Sequence, residues 1–243
     1  MCMNFSNLAI LCIFFFSSFS YAQDISSSEV LDKAIAFHDP ENKWSGFNDT
    51  FKVLMEMPGK AERVSAIHIN LQAEYFYIKA VQDSIEYEYT VNKDKCGSSL
   101  NAAATKIQGT TSLRETCKKA KRYRDYYTYL YGLPMKLKDK STILDPLVEK
   151  VEFKGNPYLV INVSYKSYIG TDIWKFYFNP KTYALEVYQF FKSDGKGNVE
   201  ASSGEYILLS KIEEINGIKM PKIRQWYYNK DDAYLGTDTL SKS

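Results

Sequence analysis

A long amphipathic segment in the middle of the chain, Ser112 to Met135, has clear helix signals at both ends. Ser112 and Glu115 have the spacing of a capping box, in which a hydroxyl and a carboxylate bond free backbone N–H groups of the first turn. Gly132 can adopt the left-handed conformation that ends a helix, and Pro134 cannot continue one. Between them, apolar residues recur at intervals of three or four, while the opposite side is basic. The segment predicts a helix on which a sheet packs.

Short alternating segments on both sides of this helix predict β-strands. The four before it are Phe51–Met57, Val64–Leu71, Glu74–Lys79 and Ser84–Val91. The six after it are Val148–Phe153, Tyr158–Lys166, Asp172–Asn179, Ala184–Lys192, Gly204–Ile212 and Ile218–Tyr228. Turn residues separate the last six, including an Asn-Gly pair, which is a strong hairpin signal. Because the connections are too short for helical crossovers, the sheet must be antiparallel.

A further helix is predicted over Glu29–His38, where apolar residues form one face and Asp39-Pro40 ends the helix. The sequence therefore predicts an α+β fold: a single curved antiparallel sheet of about ten strands, forming an open half-barrel, with an N-terminal helix and a central helix packed on it. Segments such as 173–178 carry apolar side chains on both faces. Such strands need cover on both sides, or one side lines a cavity.

The first 22 residues contain no charged side chain, and Leu8–Phe19 is an apolar run about as long as a signal-peptide core. The sequence Ser20-Tyr21-Ala22 predicts cleavage between Ala22 and Gln23. Because the usual positive residues before the apolar run are missing, an uncleaved anchor is the alternative interpretation. The predicted organisation is a signal peptide at 1–22 and a single domain at 23–243, with no stable transmembrane segment after signal removal.

Charge and cysteine content narrow the function classes. Lysine and arginine number 31 against 29 acidic residues, which gives no indication of nucleic-acid binding, so the basic side of the central helix is interpreted as a solvated face. Signal removal leaves Cys96 and Cys117, which predicts one disulfide in an exported protein, at the start of a polar loop over Asn92–Thr111. With two histidines and no cluster of soft ligands, neither a metal site nor a cofactor is expected.

No catalytic signature is present: the chain has no nucleophile elbow, phosphate loop, zincin helix or dinucleotide fingerprint. His38 stands where the first helix ends and can cap its last carbonyls, and His68 alternates with apolar residues and so faces water. Four carboxylates could pair across strands as in a glycosidase, although any antiparallel sheet offers such pairs: Asp172, Glu186, Glu205 and Asp238. These observations favour binding over catalysis.

Several short strings together resemble a family of secreted Gram-negative bacterial proteins of unknown function. They are His38-Asp39-Pro40 with Trp44, Leu130–Asp139, Asp172–Pro180, Gly204–Leu209, Pro221-Lys222 through Arg224 to Trp226-Tyr227, and Leu235–Asp238. The order of helix and strands is also similar, at fold level, to lipoprotein carriers of the LolA and LolB type. In those carriers an incomplete barrel covered by helices holds acyl chains between sheet and lid. The resemblance implies a periplasmic or extracellular location and transfers no catalytic residue.

These observations lead to the hypothesis of an exported protein that binds a hydrophobic or acyl-chain ligand between the sheet and the central helix. The residues predicted to line that site are apolar or aromatic, namely Tyr127, Leu130, Tyr131, Leu133, Met135, Trp174, Phe176 and Phe178. Ordinary core packing is the competing interpretation of each. Two other functions stay open, a glycan- or lipid-acting hydrolase and a non-enzymatic surface interaction protein that uses a tyrosine-rich sheet face.

Overall fold

The computed structural model describes residues 25–102, 112–194, 196 and 198–243. The predicted signal peptide and its cleavage site at Ala22 and Gln23 lie outside these residues. Two α-helices are present in the described part, α1 (Ser27–His38) and α2 (Leu113–Tyr131), together with short 3₁₀ turns at Trp44–Gly46 and Met135–Lys138.

All strands belong to one antiparallel sheet. In chain order they are β1 (Asn48–Glu56), β2 (Arg63–Asn70), β3 (Tyr75–Gln82), β4 (Ile85–Asn92), β5 (Lys95–Ala102), β6 (Thr142–Phe153), β7 (Asn156–Tyr165), β8 (Ile173–Phe178), β9 (Leu185–Phe191), β10 (Glu205–Ile215), β11 (Ile218–Tyr228) and β12 (Tyr234–Lys242). Their order across the sheet is β5-β4-β3-β2-β1-β12-β11-β10-β9-β8-β7-β6. Consecutive strands are neighbours except for β5 and β6, which form the two edges of the sheet, and β1 pairs with the last of these strands, β12.

The sheet has 12 strands, so the prediction of about ten was too low. The segment predicted as a loop begins with β5, which a two-residue turn at Lys93-Asp94 joins to β4. Lys93 takes the positive φ of 53° that such a turn requires, although it is not a typical turn residue. The second missed strand is β12, whose buried side carries Gly236 and Asp238 as well as Leu240. Its apolar alternation is therefore interrupted.

The helix caps agree in position with the predicted ones, but one differs in its physical basis. The Ser112 hydroxyl accepts a hydrogen bond from the Glu115 N–H at 3.3 Å. Gly132 ends α2 with φ of −92° and ψ of 0°, so the expected left-handed conformation is not used. The close approach of Trp44 explains the glycine, because a Cβ at this position would lie 2.2 Å from the Trp44 ring.

The sheet curves around α2, because that helix contacts strands far apart in the sheet. Tyr123 packs on Tyr87 of β4, with ring centroids 6.2 Å apart, and Tyr129 packs on Trp174 of β8, also at 6.2 Å. The two strands are eight positions apart, roughly 38 Å in a flat sheet. Only about 9 Å of helix separates the two tyrosines. The core therefore lies between α2 and the concave side of the sheet.

Two further contacts fix the ends of this arrangement. The sulfur atoms of Cys96 in β5 and Cys117 in α2 lie at disulfide-bonding distance, which agrees with the predicted pair. The bond ties the edge strand to the helix. At the other edge, α1 packs against β6 and β11, and the Ser27 hydroxyl donates a hydrogen bond to the Leu147 carbonyl at 3.2 Å.

Candidate functional site

The eight residues predicted to line a ligand site occupy two environments. Seven are buried in the hydrophobic core beneath α2, namely Tyr127, Leu130, Tyr131, Leu133, Met135, Phe176 and Phe178. Trp174, on β8, is partly buried and reaches an adjacent cleft. The sequence pattern brought together residues that are neighbours in space, but it did not separate those that fill the core from those that face open volume.

The cleft has a volume of about 830 Å³, within the range that small-molecule sites occupy. Four segments form its walls: the end of β2 with the following turn at 69–75, the second half of α2, the stretch 136–142, and the β7–β8 connection at 165–174. Its aromatic lining consists of Tyr75, Tyr126, Tyr129, Tyr165, Tyr168 and Trp174. These aromatics come from segments distant in sequence, which the curvature of the sheet brings together.

Neutral tyrosine hydroxyls provide hydrogen-bonding groups within the aromatic walls. The Tyr129 and Tyr165 hydroxyls are hydrogen-bonded to each other, and the Tyr129 ring meets Trp174 edge-on. Burial raises the pKa of Tyr165 to about 12 and that of Tyr129 well above its usual value. Both groups therefore stay protonated across the physiological pH range and act as uncharged hydrogen-bonding groups.

Tyr126 lies on the wall of the cleft, where it is both surrounded by protein and reached by solvent. Its side chain is 36% exposed, yet the surrounding protein raises the pKa of its hydroxyl well above the usual value, with a smaller contribution from Asp238. A side chain on the wall of a deep concave surface has both properties, because solvent reaches it while protein atoms surround it on most sides. Tyr126 is therefore accessible to a ligand in the cleft.

Four of the six charged side chains that line the cleft form ion pairs. Arg124 pairs with Asp125 at 2.8 Å, and Lys136 pairs with Asp139. Glu74 and Asp172 add two more carboxylates to the lining. Four acidic side chains thus stand against two basic ones, and the cleft itself carries no surplus of positive charge.

The candidate carboxylates named from the sequence do not meet at this cleft. Asp172 lines it, whereas Glu186 accepts a hydrogen bond from the Asn179 side chain at 2.9 Å, and Asp238 is buried in the core. Burial raises the pKa of Glu205, which stands at the start of β10. The structure therefore does not assemble these four groups into a catalytic pair.

A buried polar cluster beneath α2, formed by Arg224 and Asp238 with aromatic neighbours, was not recognised from the sequence. Arg224 is 1% exposed, and its guanidinium lies 3.9 Å from the centroid of the Tyr131 ring. It donates hydrogen bonds to the carbonyls of Pro221 at 2.8 Å and Leu130 at 3.4 Å. Arg224 therefore joins β11 to the last turn of α2. The only sequence signal was its presence in one of the strings that carry the family resemblance.

Asp238 lies directly opposite Arg224 in the β11–β12 pairing and is 1% exposed. Among the described residues, neither of its carboxylate oxygens has a hydrogen-bond partner. Burial raises the pKa of Asp238 to about 6, although the positive charges of Arg224 and Arg63 act in the opposite direction. Burial in the core therefore disfavours the ionised form of Asp238 despite these nearby positive charges.

His38 serves as a structural tie, which differs from the expected cap on the last carbonyls of α1. Its Nδ1 donates a hydrogen bond to the Lys219 carbonyl at 2.6 Å, and its Nε2 accepts one from the Leu185 N–H at 2.9 Å. The ring is fully buried, and burial lowers the pKa of His38 to about 4. With both nitrogens bonded to backbone, His38 joins α1 to β9 and β11.

The other histidine, His68, is half-buried on β2, and its Nδ1 forms a hydrogen bond of 2.8 Å with the Thr50 hydroxyl. Within the part of the chain that the structure describes, no three His, Cys, Asp or Glu side chains come together in an arrangement that could hold a metal ion. Neither of the helices in the described ranges combines the length and the apolar character needed to cross a membrane.

Comparison with known proteins supplies a family. No curated protein matches the chain. A LolA superfamily protein from Nitrosomonas europaea is similar in structure, with a TM-score of 0.46 and 9% identity, over 90% of this chain and 92% of that chain. A DUF1329 family protein from Desulfovibrio piger has a TM-score of 0.46 and 11% identity, over 88% and 90% of the two chains.

The family resemblance expected from the short sequence strings is confirmed over nearly the whole chain. A family model matches residues 6–242, a span that includes the strings around His38, Trp174, Arg224 and Asp238. The chain belongs to DUF6503, a family of unknown function.

Proposed function

We propose that this protein binds an amphipathic, lipid-like molecule in the cleft between α2 and the sheet. The observation that carries the proposal is the open volume of about 830 Å³ with six aromatic side chains on its walls. Ligand sites in proteins are typically concave and mostly apolar, with a few polar groups that orient the ligand. The cleft has these properties.

The distribution of polar groups supports an amphipathic ligand rather than a wholly apolar one. Ile69, Leu71 and Trp174 offer apolar surface, while neutral tyrosine hydroxyls and two ion pairs lie beside them. An acyl chain would pack on the apolar and aromatic walls, and a polar head would bond to the hydroxyls and the ion-paired side chains. Of the residues predicted from sequence, Trp174 would contact the ligand, and the seven buried ones would support the wall behind it.

The proposal includes export to the periplasm or the cell exterior of a Gram-negative bacterium. Two observations support it: the charge-free, apolar sequence of the first 22 residues, and the sulfur atoms of Cys96 and Cys117 at bonding distance. Disulfides persist mainly in oxidising compartments. A ligand-binding protein in such a compartment would hold lipid-like molecules outside the cytoplasm.

A chain-length series tests the proposal. Calorimetric titration with acyl compounds that share one head group should give affinity that rises with chain length, because each buried methylene contributes about 0.8 kcal/mol before the costs of binding. The upper limit is a gain of about fourfold per methylene. An affinity independent of chain length would contradict an apolar site.

A matched pair of variants locates the site. Tyr126→Ala removes an exposed aromatic side chain from the cleft wall and should weaken binding roughly tenfold. Tyr228→Ala removes a similarly exposed aromatic side chain outside the cleft and should leave the affinity unchanged. Equal losses in the two variants would show that binding takes place elsewhere.

A further inference from the structure

Positive charge is concentrated on α2. The helix carries six basic residues, Arg114, Lys118, Lys119, Lys121, Arg122 and Arg124, against Glu115 and Asp125. This surplus of four exceeds the net charge of +2 for the whole chain, so the rest of the protein is slightly acidic. The excess positive charge of the protein therefore lies on this helix of 19 residues.

Four of these residues form neither an ion pair nor a cation–π contact in the described part of the chain, whereas Lys119 lies over the Tyr87 and Tyr89 rings and Arg124 pairs with Asp125. Within the described ranges, Arg114, Lys118, Lys121 and Arg122 reach solvent with no carboxylate within 4.0 Å. Three lysines of the sheet are paired across strands, Lys79 with Glu86, Lys175 with Glu149 and Lys222 with Glu213. These pairs neutralise part of the positive charge of the sheet, whereas the four residues of α2 remain free to act on an external partner.

The four residues form one continuous stripe that leads into the cleft. At 3.6 residues per turn, positions 114, 118, 121 and 122 fall on the face opposite the buried Ala120, Tyr127 and Leu130. The same face continues to Asp125 and Tyr129, which line the cleft. We call positions 114, 118, 121 and 122 the basic stripe; it extends over about 12 Å of helix.

A second feature of the cleft entrance is an exposed apolar pair on the β7–β8 connection. Tyr168 is 75% exposed and Ile169 is 57% exposed, although both line the cleft. Adjacent large apolar side chains at this exposure, on the same protein surface as basic residues, are typical of surfaces that meet a membrane interface. The pair lies on a different wall of the cleft from α2.

We propose that the basic stripe and the Tyr168–Ile169 pair form a docking surface for an anionic lipid bilayer. The stripe contacts the negatively charged head groups, and Tyr168 and Ile169 enter the interface between head groups and acyl chains. A bilayer fits this surface better than a nucleic acid, because apolar side chains share it with the charges and the chain as a whole carries only +2. Docking presents the cleft entrance to the membrane.

Vesicle binding by the full chain tests the charge component. The protein should sediment with vesicles of equal parts phosphatidylcholine and phosphatidylglycerol, should bind pure phosphatidylcholine far less, and should be released by salt. Lys118→Gln with Arg122→Gln should lower the partition coefficient by roughly fivefold per charge removed. Lys52→Gln with Lys60→Gln removes the same charge from exposed positions of β1 and the β1–β2 turn and should have little effect.

A second pair of substitutions tests the apolar component of the surface. Tyr168→Ser with Ile169→Ser should weaken vesicle binding while leaving its salt dependence unchanged. Equal losses in the two charge pairs, or binding to duplex DNA with no binding to anionic vesicles, would overturn the proposal. Tyr126→Ala should keep vesicle binding intact, so failure of the ligand-binding function and failure of the docking surface are distinguishable.

Discussion

At the scale of single residues, His38 and Asp238 are buried groups that titrate over the same acidic range with opposite effects on stability. Burial lowers the pKa of His38 from 6.5 to about 4, so the unfolded chain takes up its proton first and stability is lost as the pH falls. Burial raises the pKa of Asp238 from 3.8 to about 6, so the folded chain keeps this proton up to a higher pH than the unfolded chain does. Stability is therefore lost as the pH rises. The two effects oppose each other between about pH 4 and 6.

Two single variants should reveal these opposed contributions, each of about 3 kcal/mol across the range. Relative to the wild type, the unfolding free energy of Asp238→Asn should rise with pH between about 4 and 6. The reason is that the variant lacks the loss of stability that Asp238 causes as the pH rises. The unfolding free energy of His38→Gln should fall relative to the wild type from about pH 4 to 6.5. The reason is that the variant lacks the gain of stability that His38 provides as the pH rises. Denaturant titrations at several pH values measure both slopes.

The control for this pair is Asp94→Asn, in the exposed β4–β5 turn, which should leave the pH dependence of stability as it is in the wild type. A slope in the Asp238→Asn variant identical to that of the wild type would show that Asp238 is ionised equally in the folded and unfolded chains.

At the scale of secondary-structure elements, α2 ends where it does because of packing as well as capping. A Cβ on Gly132 would lie 2.2 Å from the Trp44 ring and 2.6 Å from the Thr128 carbonyl oxygen. Trp44 is held in place by Asp39, whose carboxylate accepts its backbone N–H at 2.9 Å. The end of the helix, the 3₁₀ turn at Trp44–Gly46 and the end of α1 therefore depend on one another.

Gly132→Ala should destabilise the protein by about 1–3 kcal/mol, because the added methyl group forces either Trp44 or the helix backbone to move. Urea unfolding measures the loss. Gly170→Ala is the matched substitution at a position where a Cβ meets no atom within 4 Å, and it should change stability little. Similar unfolding midpoints for the two variants would contradict the role given to Trp44.

Element by element, the sequence was informative where side-chain pattern and burial coincide. Both helices and ten strands could be predicted, because their apolar residues alternate or recur with the helical period. Strand β12 could not, since its buried positions hold Gly236 and Asp238, and β5 could not, since it is a polar edge strand. Hydrophobic periodicity in the sequence detects strands that bury apolar side chains, and it does not detect strands whose buried positions are polar or small.

The candidate site was predictable only in part, for a related reason. Trp174 was identified, but Tyr126 and Tyr129 stand on the side of α2 whose pattern indicates solvent. They line a cleft because the β7–β8 connection approaches that side, and the approach depends on sheet curvature accumulated over several strands. A contact of this kind leaves no signal in the local sequence of either segment.

At the scale of the whole molecule, β12 holds the two parts of the sheet together. It pairs with β1 on one side and β11 on the other, so in the strand pairing of the described residues β12 joins β1–β5 to β6–β11. Its side chains also contribute Leu240 to the hydrophobic core and place Asp238 opposite the buried Arg224.

A chain that ends at Asp232 should therefore fail to fold, because it lacks β12 and exposes the unpaired edges of β1 and β11. Loss of cooperative unfolding, followed by circular dichroism, is the expected result. A chain that lacks only Lys242 and Ser243 keeps most of the β1–β12 pairing and should unfold cooperatively. Cooperative unfolding of the shorter chain would show that the two parts of the sheet are stable without β12.

The position of β12 has a further consequence for the time at which the protein can fold. A polypeptide is made from its first residue to its last, and here β12, which is made after the eleven other strands, lies in the middle of the sheet. Strands β1–β5 can form hairpins early, but their junction with the rest must wait for residues 234–242. A chain on the ribosome that lacks residues 234–242 thus remains unable to close its core, and the two parts of the sheet stay separate until these residues have been made.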